Sequence, residues 1–261
     1  MRNIKLTLAY DGTDFSGWQT QTKAGADRRA AATTQRTVQG VVEAALAKLH
    51  KAPVTMYGAG RTDAGVHAAA QAANFFTTID GMAAERFVPA LNGFLPPDVR
   101  VTGAVAVPDS FHARFDAKNR SYRYFIICGR PALPHESRYA LVLRRTPDIR
   151  LLNDYCRRIH GEFDCSLFAS SKDGVLKRGS GSRFRRIQQC YFAFHNDRLV
   201  FYVSANAFFW KMVRSMLGTL LFYEERRTPP ADFSAILHRG SRPEAGTTAP
   251  PHGLFLWNVE Y

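Results

Sequence analysis

The sequence lacks the residue patterns that mark most metal sites and cofactor loops. It has four cysteines in 261 residues, and none stands in a C-x-x-C pair or beside paired histidines. That spacing favours neither a zinc site nor a disulfide framework. A P-loop, a G-x-S-x-G elbow and an H-E-x-x-H pair are also missing, which argues against a P-loop NTPase, a serine hydrolase and a zinc protease.

Long apolar runs are missing as well. The longest stretch, residues 205–223, is broken by Lys211 and Arg214, so it does not fit a membrane span. The N-terminus has no apolar core of the kind found in signal peptides. We therefore expect a cytoplasmic protein without a membrane segment, whose cysteines are reduced.

Acidic residues are few in relation to basic ones. The chain carries 35 Lys and Arg against 22 Asp and Glu, a formal net charge of +13. The imbalance is concentrated in residues 111–190, where there are 17 basic and 7 acidic residues. A surface of this kind attracts polyanions and speeds their capture, and nucleic acid is the partner it favours most. A membrane surface is the weaker alternative, because no amphipathic basic helix supports it.

Short strands alternate with helices along the chain, which predicts an α+β fold with lobes of mixed and antiparallel sheet and helices on one side. We divide it into an N-terminal lobe, residues 1–110, and a basic C-terminal lobe, residues 111–261. The expected elements of the first lobe, in the order β-α-β-β-α-β, are strands at 4–10, 54–57, up to 76 and at 101–107, with helices at 38–49 and 82–94. Those of the second lobe are strands at 122–128, 183–194, 199–204 and 254–259, with one helix capped by Thr146 and stopped by Gly161 and another at 209–220. Residues 22–36 and 179–182 are expected to be connections.

The loop from Gly58 to His67 is the first candidate site. Its three glycines allow sharp turns and a close approach of the backbone to a ligand. Asp63 is the one carboxylate in this loop, and Arg61, two residues before it, favours its ionised form. An aspartate in such a loop can also serve only as a turn residue that bonds its own backbone. The loop alone leaves both roles open.

Basic and aromatic residues alternate in two further segments. In residues 111–124, which include Tyr122, this mixture suits RNA, because cations bind phosphates and rings stack on bases. The alternative is a half-buried strand with its arginines in water. In residues 206–214, Arg214 lies among apolar residues of a predicted helix. A buried arginine needs an anionic partner, which would be Asp63 or an RNA phosphate.

Taken together, these segments resemble the tRNA pseudouridine synthase A family over nearly the whole chain. The stretch from Gly60 to His67, GRTDAGVH, is the most specific of the shared motifs. The others follow in the family's order and are Tyr10-Asp11-Gly12, Gly17-Trp18-Gln19, Thr37-Val38-Gln39, Phe111 to Phe115, Tyr122-Arg123-Tyr124, Asn206-Ala207-Phe208, Met212-Val213-Arg214, Thr248-Ala249-Pro250 and Gly253-Leu254.

The resemblance implies that the protein isomerises uridine to pseudouridine in the anticodon arm of tRNA, at tRNA positions 38, 39 and 40. It implies no metal and no organic cofactor, and a homodimer in which two chains share one tRNA. By the same resemblance, Asp63 is the catalytic nucleophile, Tyr122 contacts the substrate, and Arg61 and Arg214 are substrate-binding arginines. The implied fold has two lobes joined by a continuous sheet, with the active-site cleft between them.

The residues leave several alternatives open. An ionised aspartate could attack the sugar, attack the base or remove a sugar proton, whereas a second carboxylate that activates water would make the protein a nucleoside hydrolase. If Asp63 is only a turn residue, the protein would be a non-catalytic RNA-binding module. The chain departs from the family pattern in its longer connection at residues 22–36. It also has Phe209-Trp210-Lys211 where the family often has histidines.

Overall fold

The structure is a computed structural model, and it describes residues 1–19, 35–169, 182–239 and 244–261. Most of the connections expected at 22–36 and 179–182 lies outside the described residues. In the part that is described, the chain forms ten strands and five helices. This mixture confirms the α+β class that the sequence predicts.

The elements follow one another with the predicted order in the first lobe. The strands and helices of the whole described chain have the bounds β1 Arg2–Tyr10, α1 Val38–His50, β2 Met56–Gly58, β3 His67–Thr77, α2 Phe87–Asn92, β4 Val99–Val107, β5 Asn119–Cys128, β6 Leu141–Leu143, α3 Ile149–Ile159, β7 Gly161–Asp164, β8 Phe184–His195, β9 Arg198–Ala205, α4 Met212–Glu225, α5 Pro230–Arg239 and β10 Leu254–Glu260. Short 3-10 turns at Ala84–Arg86 and Ser166–Phe168 precede α2 and follow β7.

The Cα positions divide the chain into two compact units. The first unit comprises Met1–Lys118 and Phe255–Tyr261, and the second comprises Asn119–Leu254. Nearly all of the C-terminal strand β10 therefore belongs to the first unit. The lobe boundary between residues 110 and 111 stays a prediction.

In the first unit, β1 pairs with both β3 and β4 and is antiparallel to each. β2 adds to β3 in antiparallel orientation, and β10 adds to β3 in parallel, with Phe255 opposite His67. The alternating residues Ile4, Leu6 and Leu8 of β1 are completely buried. Successive side chains of a strand point to opposite faces of the sheet, so the period of two in this segment predicts the core correctly.

In the second unit, β5, β9, β8 and β7 form an antiparallel series, and β6 adds to β5 in parallel. β8 and β9 form the predicted hairpin, in whose turn Asn196 has a left-handed φ of 55°. Helix α3 packs against β8. Its buried residues are Leu152, Tyr155, Cys156 and Ile159.

Several boundaries differ from the expectation, for local reasons. β6 and β7 were not predicted, because three and four residues are too few for a period to show. The helix expected to be capped by Thr146 is capped instead by Asp148, whose carboxylate accepts a backbone N–H of the first turn at 3.1 Å. The helix expected from residue 209 begins at Met212, because Lys211 has a left-handed φ of 61°. No helix among the described ranges is long and apolar enough to cross a bilayer.

Candidate active site

Asp63 lies in the tight turn that joins β2 to β3. The main chain closes this turn, since the Val66 N–H donates to the Asp63 carbonyl at 3.2 Å. Gly65 completes it with a φ of 76°, a conformation that favours glycine. Because closure uses the Asp63 carbonyl, it does not by itself explain why the side chain at this half-buried position is a carboxylate.

The residue before Asp63 is anchored to the segment 10–18. Thr62 Oγ1 and the Tyr10 hydroxyl are hydrogen-bonded at 2.9 Å, and both side chains are buried. The Thr62 carbonyl also accepts the Trp18 N–H at 3.1 Å. Buried hydrogen bonds of this kind hold a loop in one conformation, since breaking them leaves polar groups without water.

The residues after Asp63 are fixed by close packing against the same segment. The Gly65 N–H donates to the Phe15 carbonyl at 3.4 Å. A Cβ added at Gly12 would lie 2.0 Å from the Val66 carbonyl oxygen, far inside van der Waals contact. Only glycine fits at position 12, so the motif Tyr10-Asp11-Gly12 has a direct role in shaping the Asp63 turn.

Trp18 covers the start of the loop. A Cβ added at Gly58 would meet the indole ring at 2.5 Å, so the ring lies directly on the glycine backbone. Helix α1 holds Trp18 in turn, because the Gln39 N–H donates to the Trp18 carbonyl at 3.0 Å. Gln39 Nε2 also donates to the Met56 carbonyl of β2 at 3.0 Å. Three of the motifs that carry the family resemblance therefore meet at this loop.

His67 ends the loop as a completely buried side chain. Its Nδ1 lies 3.0 Å from the Gly12 nitrogen, which donates to it, and 3.1 Å from Asp11 Oδ1. The ring stacks on Phe255 with 4.6 Å between centroids. His67 therefore supports the loop structurally.

Gln71 supports the loop from β3, a role that the sequence motifs do not indicate. Its Nε2 donates to the Gly60 carbonyl at 2.9 Å, and the side chain is completely buried. Next to it, the Ala59 N–H donates to the Ala72 carbonyl at 2.8 Å. The signal in the sequence is a polar side chain within an alanine-rich strand, where burial without a partner is costly.

Arg61 is exposed and lies close to a second cation. Partial burial is the main cause that lowers the pKa of Arg61, and repulsion from the Arg114 guanidinium adds to it. Arg114 is exposed as well. Two guanidinium groups that repel each other favour an anion beside them, and arginine geometry suits phosphate.

Tyr122 is nearly buried on β5, in the second unit. Its ring meets Phe208 edge-to-face with 5.2 Å between centroids. Arg123, the next residue, lies over the Tyr202 ring at 5.2 Å. The strand is half-buried, which does not decide between RNA binding and a purely structural role, and the Tyr122 ring packs against Phe208.

Arg214 lies on α4 of the same unit and is half-buried. Its Nε donates to the Ala249 carbonyl at 2.7 Å, and the Ala249 N–H donates to the Arg214 carbonyl at 3.1 Å. The next residue, Pro250, accepts the Tyr124 hydroxyl at 2.7 Å. The motif Thr248-Ala249-Pro250 therefore positions Arg214. The anionic partner predicted for this arginine stays a prediction.

The predicted site residues fall into two groups. Asp63 and Arg61 lie in the first unit, and Tyr122 and Arg214 lie in the second. Their joining in one cleft stays a prediction. Among the side chains that the structure describes, no group of three or more His, Cys, Asp or Glu could hold a metal ion.

A sequence model of the tRNA pseudouridine synthases matches residues 7–116 and 156–261. The chain belongs to the tRNA pseudouridine synthase family. This confirms the resemblance that the motifs indicate. The matched residues include Asp63 with its supporting segment and Arg214 with its helix.

Individual relatives extend the similarity to the whole chain, and each of the following is named tRNA pseudouridine synthase A. The Treponema denticola protein is 50% identical over 260 residues, which are 100% of this chain and 93% of that protein. The Treponema pallidum protein is 42% identical over 252 residues, covering 97% of this chain and 85% of that protein. The protein of an Exiguobacterium species is 37% identical over 261 residues, or 100% and 98%.

Proposed function

We propose that this protein isomerises uridine to pseudouridine in tRNA, with Asp63 as the essential carboxylate. The observation that carries the proposal is the loop at 58–67, in which main-chain hydrogen bonds and glycine packing hold Asp63 from both sides. Membership of the synthase family and the names of the relatives support the same activity. The target uridines that the family resemblance favours are those at tRNA positions 38, 39 and 40, in the anticodon arm.

The reaction needs few functional groups. It breaks the C–N glycosidic bond, turns the uracil over and joins C5 to the same sugar carbon. One carboxylate that attacks the sugar or the base, or removes a sugar proton, suffices, because no water enters the product. Water must be excluded while the base is detached, since hydrolysis would release it. A firmly held aspartate suits a reaction that depends on one carboxylate, because it presents that carboxylate in one place.

The remaining residues act on the RNA. The target base is stacked in tRNA and must be turned out, which costs a few kcal/mol. Tyr122, oriented by Phe208, offers a ring to the base, and Arg61 and Arg214 offer cations to the backbone. The net charge of +13 supplies long-range attraction to tRNA. We further propose that two copies of the chain share one tRNA, and that the protein acts in the cytoplasm.

The deciding experiment uses a tRNA transcript that carries tritium at C5 of its uracils. Pseudouridine formation replaces the C5–H bond by the C5–sugar bond, so we expect tritium release into water without loss of uracil. Treatment of protein and tRNA with a chelator should leave the rate unchanged. Free uracil would identify a nucleoside hydrolase. Binding without either product would identify an RNA-binding module, and each of these results would contradict the proposal.

A further inference from the structure

A second rigid turn lies close to the Asp63 loop, at residues 112–116. The Asp116 N–H donates to the His112 carbonyl at 3.1 Å, and the His112 N–H donates to an Asp116 carboxylate oxygen at 2.9 Å. The Arg114 N–H donates to His112 Nδ1 at 3.1 Å. These three bonds leave the turn little freedom, so the side chains at its tip, Arg114 and Phe115, start from a fixed backbone.

The turn is anchored in the core of the first unit. Ala113 is completely buried, and its N–H donates to Asn74 Oδ1 at 2.9 Å while its carbonyl accepts the Tyr261 hydroxyl at 2.9 Å. Ala113 packs in one cluster with Ala59 and Ala72. Ala59 belongs to the Asp63 loop, so the loop and the turn share a common base.

Aromatic side chains line the outer surface beside this base. Phe115 is 76% exposed, and its ring lies 4.4 Å from that of His112. The ring of His112 lies 5.3 Å from that of Tyr57, which is 42% exposed. A large apolar ring kept in water on a rigid turn gains nothing for folding, and such surfaces are typical of binding sites.

Positive charge accompanies the rings. The Arg114 guanidinium lies 5.9 Å from the centre of the Phe115 ring. Partial burial lowers the pKa of Arg61, and repulsion from the Arg114 guanidinium lowers it further. A phosphate beside both arginines would be bound by two guanidinium groups at once. This surface offers aromatic rings and two guanidinium groups. It suits a nucleotide better than it suits an apolar protein segment, because a nucleotide has both a π-face and a phosphate.

We propose that Tyr57, Arg61, His112, Arg114 and Phe115 form an accessory nucleotide site. An unpaired base of the RNA other than the target uridine stacks on Phe115, and its phosphate binds beside Arg61 and Arg114. Bases in a duplex hide their faces, so this site selects substrates with an unpaired nucleotide near the modified uridine. The inference rests on the proposed function, because it takes the RNA to be the tRNA substrate.

The test compares five variants by direct titration of tRNA in fluorescence anisotropy. Phe115→Leu keeps an apolar side chain but removes the ring, and Phe115→Trp keeps a ring. Phe94→Leu is the matched control, since Phe94 is a 47%-exposed phenylalanine of the same unit with Lys48 5.9 Å from its ring. We expect Phe115→Leu to weaken binding by at least about fivefold, the lower end for loss of one stacked base. Phe115→Trp and Phe94→Leu should bind within about twofold of wild type.

A fourth variant, Arg114→Ala, tests the phosphate contact. It should reduce the slope of log affinity against log salt by roughly 0.7–0.9 for one released contact. Arg86→Ala, a change of the same charge at another exposed arginine, should leave the slope unchanged. An unchanged slope for Arg114→Ala would overturn the phosphate contact.

Abasic substitution of the RNA identifies the stacked nucleotide. Replacing each unpaired loop base in turn by an abasic sugar should weaken wild-type binding at one position. The loss at that position should disappear when the protein carries Phe115→Leu. If no position shows this dependence, if Phe115→Leu binds like wild type, or if Phe115→Trp is as weak as Phe115→Leu, the stacking proposal is wrong. Conversion of a dimer into a monomer by Phe115→Leu would also overturn it, because the ring would then be a contact between copies.

Failure of this inference and failure of the proposed function give different results. If the protein is a synthase without the accessory site, wild type releases tritium from tRNA and Phe115→Leu binds normally. If the protein is not a synthase, wild type releases no tritium whatever the affinity of the variants. The anisotropy titration therefore reports on the accessory site alone.

Discussion

The loop at 58–67 in the first unit and the segment at 206–214 in the second both carry proposed functional residues, but different forces hold them. The loop is held by main-chain hydrogen bonds and by glycines that leave no space for a Cβ. Within the loop, Thr62 is hydrogen-bonded through both its side chain and its carbonyl. A loop fixed in this way has one conformation available to it.

In the segment at 206–214, hydrogen bonds hold the two ends, Asn206 and Arg214, and ring contacts hold the residues between them. Phe208 packs edge-to-face on Tyr122, and the Arg185 guanidinium lies 3.9 Å from the centre of the buried Phe209 ring. Trp210 is 43% exposed, and Lys211 Nζ lies 4.3 Å from its ring. These contacts join side chains, whereas those of the loop are mainly between main-chain groups.

This difference in the contacts that hold the two segments fits two tasks, catalysis in the loop and RNA recognition in the aromatic segment. Bond rearrangement needs a carboxylate in one place, since misplacement by about 1 Å can cost on the order of a hundredfold in rate. Recognition of a long flexible RNA needs contact area and charge, and it tolerates adjustment. We therefore expect small changes of shape around the loop to stop turnover, whereas changes in the aromatic segment should mainly alter stability and affinity.

The largest effect is expected from Gly12→Ala. The new Cβ would lie 2.0 Å from the Val66 carbonyl oxygen, so the backbone on one side of Asp63 must move. Turnover should fall by about a hundredfold or more, and overpacking should lower the free energy of unfolding by roughly 1–3 kcal/mol. Tritium release and urea unfolding measure the two effects.

Gly81→Ala is the matched control for this change, because a Cβ there meets nothing within 4 Å. It should behave like wild type in both assays. If Gly12→Ala keeps its turnover, the loop is more adaptable than the packing indicates, and the contrast with the aromatic segment is lost.

A smaller effect is expected from Thr62→Val, which keeps the shape and removes the hydroxyl that pairs with Tyr10. The free energy of unfolding should fall by about 1 kcal/mol, the usual net contribution of one hydrogen bond. Tyr10→Phe should have a similar effect, and the double variant should be less destabilised than the sum of the single ones. Simple additivity would show that the two hydroxyls do not act together.

Replacing two adjacent arginines of the second unit should affect different properties, RNA binding for one and stability for the other. Arg186 is exposed, so Arg186→Ala should weaken tRNA binding and reduce the salt slope by roughly 0.7–0.9 per phosphate contact. Arg185 lies over Phe209, so Arg185→Ala should lower stability by about 1 kcal/mol and leave the slope unchanged. Salt titrations and urea unfolding of both variants would show whether the segment and its neighbours bind RNA or only support the fold.

The last prediction concerns the pH dependence of an ion pair in the second unit. Burial alone would raise the pKa of Glu224, but the Arg145 guanidinium and the Asp148 N–H lower it below its usual value. A lowered pKa contributes stability above the pKa of the unfolded chain, and this is lost as the pH falls through the folded value. Glu224→Gln should therefore reduce stability near pH 7 and flatten its decline in acid. Parallel curves for wild type and variant would contradict this assignment.

Local patterns account for what the sequence predicts well. The period of two in β1 and the apolar stripe of α1 place both elements, because each pattern depends only on neighbouring residues. The roles that contiguous motifs indicate for Asp63 and Arg214 stay predictions. The hydrogen bonds Tyr10–Thr62 and Gln71–Gly60 could not be predicted, since their partners are separated by 52 and 11 positions and meet only after folding.

The late start of α4 shows a second reason why a local sequence pattern can misplace an element. Its apolar stripe begins at Phe209, and the sequence therefore predicts a helix from there. The left-handed φ of Lys211 interrupts the segment before Met212, although lysine is a good helix former. The rings of Phe208 and Phe209 pack on Tyr122 and Arg185 just before this point. The helix preference of lysine is worth less than about 1 kcal/mol per residue, so tertiary contacts can outweigh it.

The central claim is that Asp63 supplies the reacting carboxylate and not the shape of its loop. Asp63→Asn tests it most directly, because asparagine keeps the size and turn-forming ability of aspartate and removes the anion. We expect tritium release from tRNA to disappear, while thermal stability and tRNA affinity, measured by filter binding on the same preparation, stay at the level of wild type. Substantial turnover by pure Asp63→Asn protein would contradict the account.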